Sequence, residues 1–292
     1  VLERVAKERL LASLKRAQDA SRWPILAADL REFGDVSMLE FVTEFGIKPG
    51  LIYGRGSSQE KCWSALRERA GFETALGGSD EENKLLRALG RMLYIDDVER
   101  IVLYTAVLAD QLPPELSNFD VRQQRLLKML HFNLWGSPTK FESFEAGFEA
   151  LWQHRSVRDE LAELLATTDA LSKTISRPSG LAPEFPLNTH AKYSQKDILT
   201  ALGDPDADAL PRWQEGVKRF EDAKTDAFLI TIHKAERDYS PTTMYQDVAV
   251  SPSILQWQSQ SNTSAESRSG RRYISHQANG DHILLFARLR KT

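Results

Sequence analysis

Residues 173–191 read KTISRPSGLAPEFPLNTHA, with Pro178, Pro183, Pro186 and Gly180 crowded into one stretch. Proline fixes φ and has no amide hydrogen, so neither a helix nor a central strand runs through such a segment. We read 176–191 as a linker or surface loop. It separates a segment 1–175 from a segment 192–292, and the two sides differ in period.

On the N-terminal side the period is that of a helix. Trp23-Pro24 opens a helix that Gly34 ends, DVSMLEFVTEFG (35–46) ends at Gly46, and SQEKCWSALRERAG (58–71) ends at Gly71. A glycine just past the last helical residue supplies the left-handed cap. Ser79 and Glu82 have capping-box spacing, Asp96 or Asp97 starts VERIVLYTAVLAD, and Pro113-Pro114 stops it. FDVRQQRLLKMLHFNLWG and SFEAGFEALWQHRSVRDELAELLATTDAL keep Leu, Phe and Trp at helical spacing. VLERVAKERLLASLKRAQ (1–18) is amphipathic, already under way at residue 1 and without an initiator Met, which reads as a piece of a longer polypeptide.

On the C-terminal side one helix, SQKDILTALG, carries a Ser194/Asp197 start and a Gly203 stop. After it the period becomes two. AFLITIH (227–233), DVAV (247–250) and SILQWQSQS (253–261) read as strands. In RRYISHQANGDHILLFARLR the pair Asn279-Gly280 has the chemistry of a type I′ turn, so a hairpin is expected, with His276 and His282 facing each other across it. The fold class expected is α+β: an N-terminal all-helical array (1–175), then a small, mainly antiparallel sheet or barrel domain (192–292) with a leading helix.

Composition bounds the function. Of 292 residues 41% are hydrophobic and 27% charged, and no apolar run approaches a membrane span, so a soluble cytoplasmic protein is expected. Cys62 is the only cysteine, which excludes an internal disulfide and multi-cysteine zinc sites. Residues 228–292 hold eight Lys/Arg against five Asp/Glu, a net +3 that leaves −6 for residues 1–227. That bias makes the C-terminal part the side for a polyanionic partner.

Most enzymatic motifs are missing. No phosphate loop and no dinucleotide fingerprint occurs, and the six histidines (131, 154, 190, 233, 276, 282) lack metal-binding spacing. YGRGSS (53–58) reads as a turn. No cofactor or metal is expected. HKAERDY (233–239) places Lys234, Glu236 and Asp238 after a buried strand, the residue types of a metal-dependent nuclease, although alternating charges there also suit a solvated turn. PILAADLREFGDVSMLEFVTEFG has a helix-turn-helix rhythm, but its second helix carries Glu40 and Glu44 and no cation, the wrong sign for phosphates.

The candidate binding face is the stretch SPTTMYQDVAVSPSILQWQSQSNTS (240–264), in which Asp247 is the only charge. Thr242, Thr243, Gln258, Ser259 and Gln260 are neutral donors and acceptors, and Tyr245, Trp257 and Tyr273 can stack on bases. Arg271 and Arg272, with Arg268, Arg288, Arg290 and Lys291 nearby, would supply charge. A polar surface loop with Trp257 buried is the competing reading.

YSQKDILTALG, SPTTMY, WQSQS, G-x-RY (270–273) and ILLFARLRK together resemble the C-terminal domain of unknown function appended to bacterial superfamily II DEAD/DEAH-type helicases, over about residues 193–291. LAADLREFGDVSMLEFV, CWSALRERAG and MLYIDDVER resemble the segment between motor and terminal domain in the same proteins. Leu255-Gln256 stand where the family pattern has an aromatic residue and a His, and of its acidic–aromatic pair near Asp247-Val248 only the Asp remains. The resemblance implies an ATP-dependent helicase as parent protein, an upstream motor as intramolecular partner, and nucleic acid, DNA in the first place, as ligand. No catalysis is expected of this chain itself. Protein–protein docking within the same machine and a metal-dependent nuclease are the alternatives.

Overall fold

The computed structural model describes residues 23–53, 61–214, 216–232, 248–251, 254–257 and 263–288. The chain divides into two compact units, Val1–Leu210 and Pro211–Thr292.

The first unit is helical: α1 (Trp23–Phe33), α2 (Met38–Glu44), α3 (Trp63–Ala70), α4 (Asp80–Leu89), α5 (Val98–Ala109), α6 (Val121–Trp135), α7 (Phe144–Trp152), α8 (Arg155–Leu171) and α9 (Gln195–Gly203). Local chemistry sets most ends. Ser37 with Glu40, Asp120 with Gln123, and Ser194 with Asp197 form reciprocal capping boxes, and Gly71 ends α3 with φ 97°. Ser79 caps α4, but Glu82 does not reciprocate; its carboxylate accepts from the Gly78 amide and the Ser156 hydroxyl. The run 143–171 breaks into two helices at Gln153-His154.

Helix α8 organises the core, packing against α2, α3, α4, α5 and α7 through buried Val157, Leu161, Leu164 and Leu165. Its Glu160 accepts from the Tyr53 hydroxyl, the Trp63 and Ser64 amides and the Ser64 hydroxyl, so it caps the N-terminal end of α3, where the sulfur of the buried Cys62 accepts from the Ala65 amide.

The segment 176–191 is tied down. β1 (Arg177–Pro178) and β2 (Asn188–Thr189) pair antiparallel, and Phe185 and Leu187 are buried. Arg122 donates to the carbonyls of Pro183 and Phe185, each at 2.9 Å. α9 packs on α6, and the compact division falls beyond it, between Leu210 and Pro211. By this division α9 falls in the first unit.

The second unit has β3 (Val217–Phe220), β4 (Thr225–Thr231), β5 (Val248–Ser251), β6 (Ile254–Gln256), α10 (Arg268–Ile274) and β7 (His282–Arg288). β4 is buried almost throughout, as a continuous apolar run at a sheet centre should be. It pairs antiparallel with β3 and parallel with β7, and β5 pairs antiparallel with β6. The architecture is α+β, with a helix-rich N-terminal part followed by small sheets.

The expected hairpin at Asn279-Gly280 does not form. Arg268–Ile274 is helical, capped by Ser267, and β7 finds its partner in β4. A type I′ turn needs two positive φ angles, and only Gly280, at 67°, supplies one. His276 sits in the turn with Nδ1 2.8 Å from the Tyr273 carbonyl, not across a strand from His282. Among the described residues no helix is long and apolar enough to cross a membrane.

Candidate functional site

The candidate site is built on one face of β4. Side chains alternate along a strand, so Asp226 and Phe228 share a face and Thr225 and Ala227 take the other. Arg219 of β3 is the register partner of Asp226, and Phe220, one position on, turns to the opposite face and packs with Trp213 at 6.0 Å.

Asp226 has no exposed surface. Arg272 of α10 donates to it from Nε and Nη2, each at 2.7 Å, and Arg219 donates from Nη1 at 3.3 Å. Arg219 also reaches Asp281 at 2.7 Å and Glu221 at 3.1 Å. Hydrogen bonds to Asp226 hold the Arg272 guanidinium above the usual arginine range. Burial pulls Arg219 down, but its bonds to Asp281 and Glu221 outweigh burial and leave it raised. A carboxylate taken wholly out of water needs such partners.

Phe228, two residues along, carries the aromatic part. Its ring lies 4.6 Å from Trp257 and 5.1 Å from Tyr273, and the last two are 6.1 Å apart at an interplanar angle of 74°. Phe228 is buried, whereas Trp257 and Tyr273 are half-buried. Trp257 is thus neither a fully buried core residue nor a free stacking platform.

α10 joins the two parts. Ser267 accepts from the Gly270 amide at 3.0 Å, and Gly270 is buried so closely under the preceding loop that a Cβ there would stand 1.9 Å from the Ser264 carbonyl oxygen. Each named member of the G-x-RY motif is therefore used inside the unit: Gly270 for close approach, Arg272 for Asp226, Tyr273 for Phe228. Arg271, the variable position, is exposed, as is Arg268 three residues before it on the same helix face. Among the described residues neither guanidinium has an ion-pair partner. Ile274, next at that spacing, is 70% exposed.

Of the residues singled out from sequence, Lys234, Glu236, Asp238, Thr242, Thr243, Tyr245, Gln258, Ser259 and Gln260 lie outside the described residues. The structure brings Trp257, Arg272 and Tyr273 together through β4 and sets Arg271 on the outer side of α10. Sequence reasoning missed Asp226, Arg219 and Asp281. The available signal was the single acid in the apolar run TDAFLIT. Among the described residues no three His, Cys, Asp or Glu side chains are arranged to hold a metal ion.

The first unit offers two other polar features. A cleft of about 640 Å³ is bounded by Lys128, Lys140, Phe141 and Asp204–Asp208, but its lysines are already paired, Lys128 with Asp204 at 2.6 Å and Lys140 with Glu81 at 2.7 Å. The second is a buried network around Asp197, which accepts from the Tyr94 hydroxyl, from Asn133 and the Ser194 amide at 2.7 Å, and from Arg100 at 3.4 Å. Arg100 stacks 4.6 Å from the Tyr193 ring. Tyr193 bonds Asp97, and the Lys192 amide and ammonium both bond Asp96. Burial and nearby carboxylates push the Tyr94 and Tyr193 phenols well up, so both remain protonated donors. This network fastens MLYIDDVER to KYSQKD and serves the fold.

Residues 187–291 match the family model described as a domain of unknown function (DUF3427). No curated protein matches the chain. No solved structure matches it. The match starts at Leu187, upstream of α9, so the matched segment spans the end of the first compact unit and nearly all of the second.

Proposed function

We propose that the terminal unit is a non-catalytic nucleic-acid-binding module, an accessory part of a bacterial helicase-type protein whose ATP-dependent motor lies elsewhere on the same polypeptide in the cytoplasm. The observation that carries this reading is on α10: Arg268 and Arg271 face outward without partners among the described residues, and the same helix holds Tyr273 in a half-buried cluster with Trp257. A nucleic-acid strand offers phosphates to exposed cations and bases to aromatic rings. The mild positive charge of residues 228–292 and the resemblance of the terminal segment support the same reading.

The test is Trp257→Ala in the whole chain. Loss of about 1 to 3 kcal/mol of oligonucleotide binding in a variant that keeps its fold supports stacking. Unfolding of the terminal unit, with no binding loss in the fraction that stays folded, makes Trp257 a core residue and removes the aromatic half of the proposal.

A second reading has its own observation. Ile274 is 70% and Leu285 of β7 52% exposed, apolar surface that suits a protein partner such as the motor. A partner held by these side chains binds with little dependence on salt.

A further inference from the structure

Arg271 and Arg272 are neighbours in sequence but not in environment. Arg271 is exposed, while Arg272 is committed to Asp226 through two bonds of 2.7 Å and lies 5.6 Å from the ring of Tyr273. We infer that Arg272 is a positioning residue, which with Asp226 orients Tyr273 and Trp257 toward unpaired bases of a single strand, and that the phosphates are met from α10 by Arg268 and Arg271. This rests on the nucleic-acid-binding reading above.

The geometry carries three steps. Asp226 and Phe228 sit two residues apart on one face of β4, so the carboxylate that holds Arg272 and the ring that holds Tyr273 and Trp257 belong to one rigid strand. Tyr273 follows Arg272 directly, so the guanidinium bond sets the rotation of α10 and with it the approach of Tyr273 to Phe228. Contact with a phosphate would require Arg272 to leave a fully buried acid, which among the described residues would then keep the side chain of Arg219 at 3.3 Å. Among the described residues Arg268 and Arg271 have no ion pair to give up. Single-strandedness follows from exposure: rings half-buried against Phe228 can meet only a base whose own faces are not covered by duplex neighbours.

The test compares four forms of the 292-residue chain: wild type, Arg271→Gln, Arg272→Gln, and the double variant Asp226→Leu/Arg272→Met, which removes both charges and replaces them with apolar side chains. Each is titrated with fluorescein-labelled single-stranded and duplex oligonucleotides across a salt series, with circular dichroism to confirm folding. Arg271→Gln should reduce the slope of log K against log salt by about one. Arg272→Gln should weaken single-strand binding by about fivefold or more at every salt concentration with the wild-type slope. The double variant should recover most of that loss, since a buried pair replaced by apolar side chains need not disturb packing. A slope reduced by about one in Arg272→Gln, a double variant as weak as Arg272→Gln, or preference for the duplex overturns the inference.

A ligand-free readout separates its failure from that of the functional reading. Arg272→Gln should shift the tryptophan emission, and the shift should vanish in a Trp257→Phe background. No shift overturns the positioning role whether or not nucleic acid binds. A shift in a chain whose wild type binds no oligonucleotide upholds the positioning of Trp257 and overturns the nucleic-acid reading.

Discussion

Arg272 and Asp226 are joined by two parallel hydrogen bonds of 2.7 Å, one to each carboxylate oxygen, across 46 residues of sequence. Asp226 is fully buried, so its value to the terminal unit lies in having both arginines in place. Asp226→Ala leaves Arg219 and Arg272 facing an uncompensated gap and should cost about 3 kcal/mol in denaturant unfolding of that unit. The double variant Asp226→Leu/Arg272→Met should lose much less. Equal losses in the two would mean that the pair contributes no charge-specific term.

Gly270 makes the second prediction. A Cβ at this position would lie 1.9 Å from a backbone oxygen, which no side-chain rotation can relieve. Gly270→Ala should destabilise the terminal unit by about 2 kcal/mol or more, through displacement of the loop before α10. Gly280→Ala is the comparison: its φ of 67° is strained for alanine but the space is open, so about 1 kcal/mol is expected. Thermal unfolding of the two variants gives the order directly.

His131 predicts a pH dependence in the first unit. It is fully buried among Phe132, Phe141, Phe144 and Phe148, with Nε2 3.2 Å from the Ala207 carbonyl, and burial pulls its pKa from 6.5 down to about 4. The unfolded chain therefore binds the proton more readily than the folded one. This stabilisation is complete above pH 6.5 and is lost as the pH falls toward 4, by about 3 kcal/mol in all. His131→Gln keeps a donor for Ala207 and cannot titrate, so its unfolding free energy should vary less across that window. Curves of equal steepness for wild type and variant would contradict the assignment.

The buried network at Asp197 predicts where the chain can be cut. Asp197→Ala should cost about 3 to 5 kcal/mol, since Arg100, Tyr94 and Asn133 would lose a shared acceptor inside the protein. Limited proteolysis should spare 183–187, whose carbonyls are held by Arg122, longer than the junction after Leu210. Cleavage first within 183–187 would contradict the packing of this segment.

Legibility in the sequence follows from the range of the interactions involved. Caps depend on residues three apart, so Ser194 with Asp197 and the glycine ending α3 could be read directly. The run at β4 declared a buried strand by its apolar content alone. RRYI failed because its strand-forming composition was overruled by tertiary contacts, Gly270 under Ser264 and Arg272 on Asp226. In the proline-rich loop, proline excludes regular structure but says nothing about burial, so the bonds that Arg122 donates to the carbonyls of Pro183 and Phe185 could not be read from it. In the candidate site, Trp257, Tyr273 and Arg271 were visible as residue types suited to nucleic acid. Asp226 was not, because a lone acid in a strand acquires meaning only when its partners are placed.

The central claim, that the terminal unit holds nucleic acid through the exposed cations of α10, is tested most directly by titrating the 292-residue chain with a single-stranded oligonucleotide at low and moderate salt. The account predicts binding that weakens steeply as salt rises, with a slope reduced by about one in Arg271→Gln. Binding that is flat across the salt series, or a slope unchanged by Arg271→Gln, would contradict it.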